Sequence, residues 1–130
     1  MINSSAFDYV NVLGKAADAS WTRESVLTNN LANVDTPGYK RKDIDFASVL
    51  KTELGSSKYT SLNDSVKSMD YDDLKASVYT DYANYSYRLD GNNVDIDNEQ
   101  VELASEQIKY QALTTSISSE FERMRTAMGK

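Results

Sequence analysis

Between residues 6 and 34 the chain repeats apolar positions with the four-then-three spacing of a helical seam, at Ala6, Val10, Leu13, Ala17, Leu27, Leu31 and Val34. Two polar lapses, Ser20 and Glu24, sit together in the middle of that seam. The spacing predicts a helix over residues 6–33, roughly 42 Å long at 1.5 Å per residue, with Ser4 or Ser5 available as N-cap. Its end is marked more sharply. Asn33 can take the left-handed conformation that stops a helix, and Pro37 pushes Thr36 towards an extended one. Pro37-Gly38 suits the two central positions of a type II turn, with Gly supplying the positive φ. Phe46, Val49, Leu50 and Leu54 then predict a short helix ending at Gly55.

A second long helix is predicted over residues 98–128, a rod of roughly 46 Å. Its seam runs through Leu103, Tyr110, Leu113, Ile117, Met124 and Met128, with Phe121 beside it; Ile108 joins the expected contact residues. Asp97 followed three residues later by Gln100 has the arrangement of a capping box. Acidic residues crowd the start of this helix and Arg123, Arg125 and Lys130 its end, as the helix dipole prefers.

Three segments follow: an N-terminal helix over 1–34, a turn, short helix and polar middle over 35–93, and a C-terminal helix over 94–130. The middle is rich in Ser, Asp and Tyr, and Tyr85 to Leu89 alternates as a strand does. Its tyrosines read equally as a surface that orders on a partner or as aromatic pins folding onto the helices. The expected fold is mainly α, with the long terminal helices pairing as an antiparallel coiled coil around a partly extended middle. Two helices share one seam, so apolar stripes left over must meet other molecules.

Composition narrows the chemistry. Leu, Ile, Val and Phe make up 27 of 130 residues, enough for a thin core only. There is no His and no Cys, which removes imidazole and thiolate catalysis, disulfides and the usual zinc ligand sets. A net charge of −6 disfavours nucleic acid or an anionic membrane as partner. No run of about 18 apolar residues suggests membrane insertion, and the first residues lack the basic and apolar regions of a cleaved signal peptide. Asp95, Asp97, Glu99 and Glu106 fall at EF-hand positions, but Gln100 stands where the calcium loop needs Gly, so helix capping is the reading there. The basic run Lys40 to Lys42 is answered at once by Asp43 and Asp45, which reads as a solvated, locally paired face. No phosphate loop, dinucleotide fingerprint or nucleophile elbow appears, so no catalytic, cofactor or metal residues are assigned.

The run Asn29-Asn30-Leu31-Ala32-Asn33-Val34-Asp35-Thr36-Pro37-Gly38-Tyr39 resembles the signature of the bacterial flagellar rod and hook proteins, with Asn30, Ala32, Asn33, Thr36, Pro37, Gly38 and Tyr39 as the motif residues. The stretch up to Phe46, the segment Asp90 to Asp95 and the run Tyr110 to Leu113 look like the proximal-rod (FlgB) branch, and the length fits it. That resemblance implies a structural subunit of the flagellar basal-body rod, the drive shaft joining the membrane ring to the hook. It further implies export through the flagellar type III apparatus without signal cleavage. The implied partners are other rod subunits, itself included, and the junction protein on the ring. An acidic helical export chaperone and a secreted helical-hairpin adaptor are the alternatives.

Overall fold

The computed structural model describes residues 7–56, 61–83 and 88–129. The chain is mainly helical. Helix α1 (Asp8–Ala32) is followed by strand β1 (Lys42–Ile44), helices α2 (Phe46–Ser56) and α3 (Leu62–Ser68), strand β2 (Val78–Thr80) and helix α4 (Ile96–Ala127). The long helices α1 and α4 pack against each other, and α1 also carries β1 and α3.

Two faces of α1 are covered by different things. Val12, Ala16 and Ala19 meet a small apolar cluster of Phe46, Met69 and Leu74, which α2 supplements with Val49, Leu50 and Leu54. Ser20, Leu27 and Asn30, at helical spacing on another face, are buried where α4 and β1 arrive. Tyr71 closes the cluster by donating to Asp8 at 2.9 Å; burial and that carboxylate push its hydroxyl up to about 12. Tyr71 is thus an aromatic pin, whereas Tyr82 stays 76% exposed.

Local caps explain the short elements. The Ser48 amide donates to the Asp45 carboxylate at the start of α2. Ser61 accepts from the Asp64 amide and its hydroxyl reaches the Asp64 carboxylate at the start of α3. β1 and β2 pair antiparallel, Lys42 opposite Thr80 and Ile44 opposite Val78.

Some expectations fall outside the described residues and others need correction. The expected caps Ser4 and Ser5 and most of the expected strand at Tyr85 to Leu89 lie outside the described residues; the strands observed are at 42–44 and 78–80. Asn33 is not left-handed, with φ −102°, and α1 ends instead on bonds from its amide back to Asn29 and Asn30. α4 starts earlier than the capping-box reading placed it. Asp95 is its N-cap, accepting from the amides of Asp97 and Asn98. Short side chains with several acceptors stood at 95 and 97, and the earlier one reaches both open amides.

Candidate functional site

Asn30 is the hub of the motif. It is wholly buried on α1, and a side-chain amide placed there must find partners for two donors and a carbonyl oxygen. It finds all of them. Its amide donates to the Lys42 carbonyl at 2.8 Å and to Glu99 at 3.1 Å; its oxygen accepts from the Lys42 amide at 2.9 Å and the Tyr39 hydroxyl at 3.1 Å. Asn30 therefore bonds Lys42 as a neighbouring strand would, while tying α1 to α4 and to the turn.

That turn is the one expected from Pro37-Gly38. The Tyr39 amide donates to the Thr36 carbonyl at 3.2 Å, and Gly38 has φ +71°. A second turn at Asp90–Asn93 docks on it. Gly38 donates to the Asp90 carbonyl at 2.7 Å, Asn93 to the Tyr39 carbonyl at 3.3 Å, and the Lys40 ammonium to the Gly91 carbonyl at 2.6 Å. Gly91 has φ +77°, and a Cβ there would lie 3.8 Å from the Gly38 Cα. Asn92, 1% exposed, shares its two amide hydrogens among the carbonyls of Asn33, Val34 and Thr36, each at 2.9 Å. These carbonyls belong to the residues that follow α1, two of them also accepting from the Thr36 and Tyr39 amides, so a residue just before α4 ties down the chain as it leaves α1. Two of the segments that carry the resemblance, the motif turn and Asp90 to Asn93, form one structural unit.

Beside this unit lies an ion-pair clasp. Arg23 donates to Asp43 at 2.7 and 3.1 Å, to Glu102 at 2.8 Å and to Glu106 at 2.7 Å. Arg41 bonds Glu99 and, at 3.1 Å, Asp43, with Asp81 at 3.4 Å. Ser20 donates to Glu106 at 2.6 Å, and Lys109 approaches the same carboxylate at 3.4 Å. Glu99 and Glu106 are each 2% exposed. Hydrogen bonding to Asp43 holds the Arg23 guanidinium more firmly protonated than usual; Arg41 is raised too, its carboxylate partners outweighing its burial. Burial would raise Asp43 and Glu106, but bonds from Arg23, the Ile44 amide and Arg41 on the first, and from Ser20 and Arg23 on the second, hold both below their ordinary values. These carboxylates are permanent acceptors, not proton donors near neutrality. The reading of Lys40 to Asp45 as a solvated, locally paired face holds for the exposed Lys42 and Asp45 and for the Arg41–Asp43 pair, and is corrected for the rest: Asp43 is buried, and Arg41 also turns to partners on α4 and before it.

The expected seam residues divide. On α1, Ala17 and Leu27 are buried and Val10, Leu13 and Leu31 half-buried; on α4, Leu103, Tyr110, Leu113, Ile117 and Met124 are half-buried. Ile108 and Phe121 are 68% and 50% exposed. Neither is buried between the helices; Ile108 stands two residues from both Glu106 and Tyr110, hence on the far side of α4. Within the motif, Asn30, Asn33, Thr36, Gly38 and Tyr39 carry bonds, whereas Ala32 and Pro37 present exposed surface. Sequence reading missed Arg23, Asn92, Glu99 and Glu106. The polar lapse at Ser20, in an otherwise apolar seam, was the signal for a buried polar layer. Among the described residues no group of His, Cys, Asp or Glu is placed to hold a metal ion, and no helix is long and apolar enough to cross a membrane.

Residues 11–40 match the family described as flagella basal body rod protein. Over 82% of its length the chain is 38% identical to the flagellar basal body rod protein FlgB of Bacillus subtilis, covering 81% of that protein. It is 33% identical to FlgB of Escherichia coli over 82% of each chain. It is also 32% identical to FlgB of Borrelia hermsii over 81% of its own length and 84% of that protein.

Proposed function

The chain belongs to the FlgB family of flagellar basal body rod proteins, and from that premise we propose that its two terminal helices act in the rod as an antiparallel coiled coil locked by the polar clasp. It is a structural subunit of the proximal rod and associates with other rod components. The antiparallel pairing is supported by the order of cross-contacts: Asn30 meets Glu99, Arg23 meets Glu102 and Glu106, and Ser20 meets Glu106. As numbers fall on one helix they rise on the other.

The observation that carries the mechanical reading is the docking of the motif turn on the Asp90–Asn93 turn. Residues 1–34 and 94–130 then act as one helical domain, and 35–93 as the segment that joins and braces it. Torque passing along α1 reaches α4 through hydrogen bonds and ion pairs, which resist sliding because each donor has a fixed acceptor. The subunit catalyses nothing in this reading; it transmits force in the periplasm-spanning rod, next to the ring junction protein. It reaches that place through the flagellar export apparatus without losing a signal peptide.

Deleting the gene and restoring it tests this. Loss of swimming, recovered by the wild-type chain together with its appearance in purified basal bodies, is expected. Basal bodies that form complete rods without the chain refute it. Mass spectrometry of the basal-body chain checks the export reading, which a trimmed N-terminus overturns.

A further inference from the structure

α4 is held in two different ways along its 32 residues. From Glu99 to Glu106 its carboxylates bond Asn30, Arg41, Arg23 and Ser20. From Glu120 to Arg125 it is braced by its own ion pairs, Glu120 with Arg123 at 2.8 Å and Glu122 with Arg125 at 2.7 Å. No residue from Tyr110 to Ser119 is charged, so no such brace lies in the stretch between. All but one of the residues from Thr114 to Ser119 are Ser or Thr, which rank below Ala, Leu and Glu as helix formers.

Their hydroxyls all turn back on the helix. Thr114 and Thr115 both donate to the Gln111 carbonyl at 2.9 Å, Ser116 to Ala112 at 2.9 Å, Ser118 to Thr114 at 3.1 Å and Ser119 to Thr115 at 3.0 Å. A hydroxyl on such a carbonyl competes with the ladder amide, which loosens and bends a helix. Elsewhere in the long helices these bonds stand singly, at Thr22, Thr28 and Thr126. The same stretch is where α4 runs out of partner. Ser20 meets Glu106, so in the antiparallel pairing Asp8 at the start of α1 comes level with Ser118, as far beyond Glu106 as Asp8 lies before Ser20. Past it, Phe121 and Met128 are 50% and 67% exposed.

We propose that Gln111–Ser119 is a joint in α4, about which the arm Glu120–Ala127 swings while the clasped part stays fixed on α1. The joint is a property of the single chain and stands apart from the rod reading. In an assembly the arm takes the angle that its neighbour sets, and the bending stops at the joint instead of reaching Glu106 and Arg23.

The chain has no Cys, so spin labels go only where thiols are introduced. Gln107 and Arg125 are exposed. They lie a whole number of turns apart, on one face and roughly 27 Å from each other along a straight helix. In the full chain carrying Gln107→Cys and Arg125→Cys, pulsed electron spin resonance should give a broad distance distribution. Replacing Thr114, Thr115, Ser116, Ser118 and Ser119 together with Ala should narrow it. Amide exchange over Thr115–Ser119 should be faster than on either side and slow about tenfold in the alanine variant, while Leu103–Tyr110 keeps its rate. Equal widths in the two chains overturn the proposal. So does exchange that rises steadily from Leu103 to Ala127, which is fraying from the end, and so does loss of protection over Leu103–Tyr110, which means the clasped part is not fixed.

Discussion

Replacing Arg23 with Met removes the cation that bridges Asp43, Glu102 and Glu106 while keeping most of the side chain's length. Breaking a buried ion pair by deleting one partner costs about 3–5 kcal/mol, because the other charge stays desolvated. The structure points to the lower end. Glu106 keeps Ser20 and Lys109, Asp43 keeps Arg41, and the Glu102 side chain is 41% exposed and can hydrate. A loss of about 3 kcal/mol corresponds to roughly a hundredfold in an equilibrium constant. Amide exchange reads this directly, because local opening of α1 against α4 exposes their backbone. Protection over Ser20–Leu27 and Leu103–Tyr110 should fall about a hundredfold in Arg23→Met. Adding Glu106→Met removes the stranded carboxylate and should return much of that protection, the non-additivity that marks a coupled pair. Protection in the single variant within about threefold of wild type refutes the reasoning and puts the clasp in the class of surface pairs.

Three further outcomes are expected. Asp43 and Glu106 have lowered carboxyl values in the fold, so the unfolded chain binds protons more readily; their contribution is present above the ordinary values of 3.8 and 4.5 and is lost as pH falls below them. Circular dichroism from neutral pH downwards should show helix loss beginning there, and a signal unchanged to about pH 2.5 contradicts the clasp. Gly38→Val forces a β-branched residue to positive φ with open space around its Cβ, so strain of about 1–3 kcal/mol, not a clash, should weaken the turn and block rod assembly while secretion continues. Normal swimming in that strain counts against it. Asn92→Ala removes the side-chain bonds to the carbonyls of Asn33, Val34 and Thr36 and should cost about 1–2 kcal/mol, seen as faster exchange in the segment that follows α1; unchanged exchange there rejects the tie.

What could be read from the sequence followed the strength of local rules. The long helices and the Pro37-Gly38 turn were legible because periodicity and φ preference act within a few residues. The strands were not, since three residues carry too little alternation to register and β1 is chosen by its pairing with β2 and by Asn30. Glu99 and Glu106 read as dipole partners because nothing near them in sequence announces an arginine; Arg23 and Arg41 come from the other end of the chain. Asn33 was expected left-handed on residue type alone, but Asn92 and the α1 backbone satisfy that end without it.

The two-stranded ladder has a consequence for how this chain can vary in length. Lys42 faces Thr80 and Ile44 faces Val78, so the chain passes the α1–α4 junction at a single doorway, beyond which Phe46, Met69, Tyr71 and Leu74 pack back on the first half of α1. What happens beyond that doorway leaves the spacing of α1 and α4 alone, because Asn30, the clasp and the paired turns all lie on its inner side. The entropy of closing a loop grows only with the logarithm of its length, so doubling the excursion adds about 0.6 kcal/mol. A foreign domain spliced into it should leave exchange at Asn30 and Glu99 unchanged. The ladder makes this subunit a shaft with a built-in mounting point, where outer material can be added while the register of the load-carrying helices stays fixed.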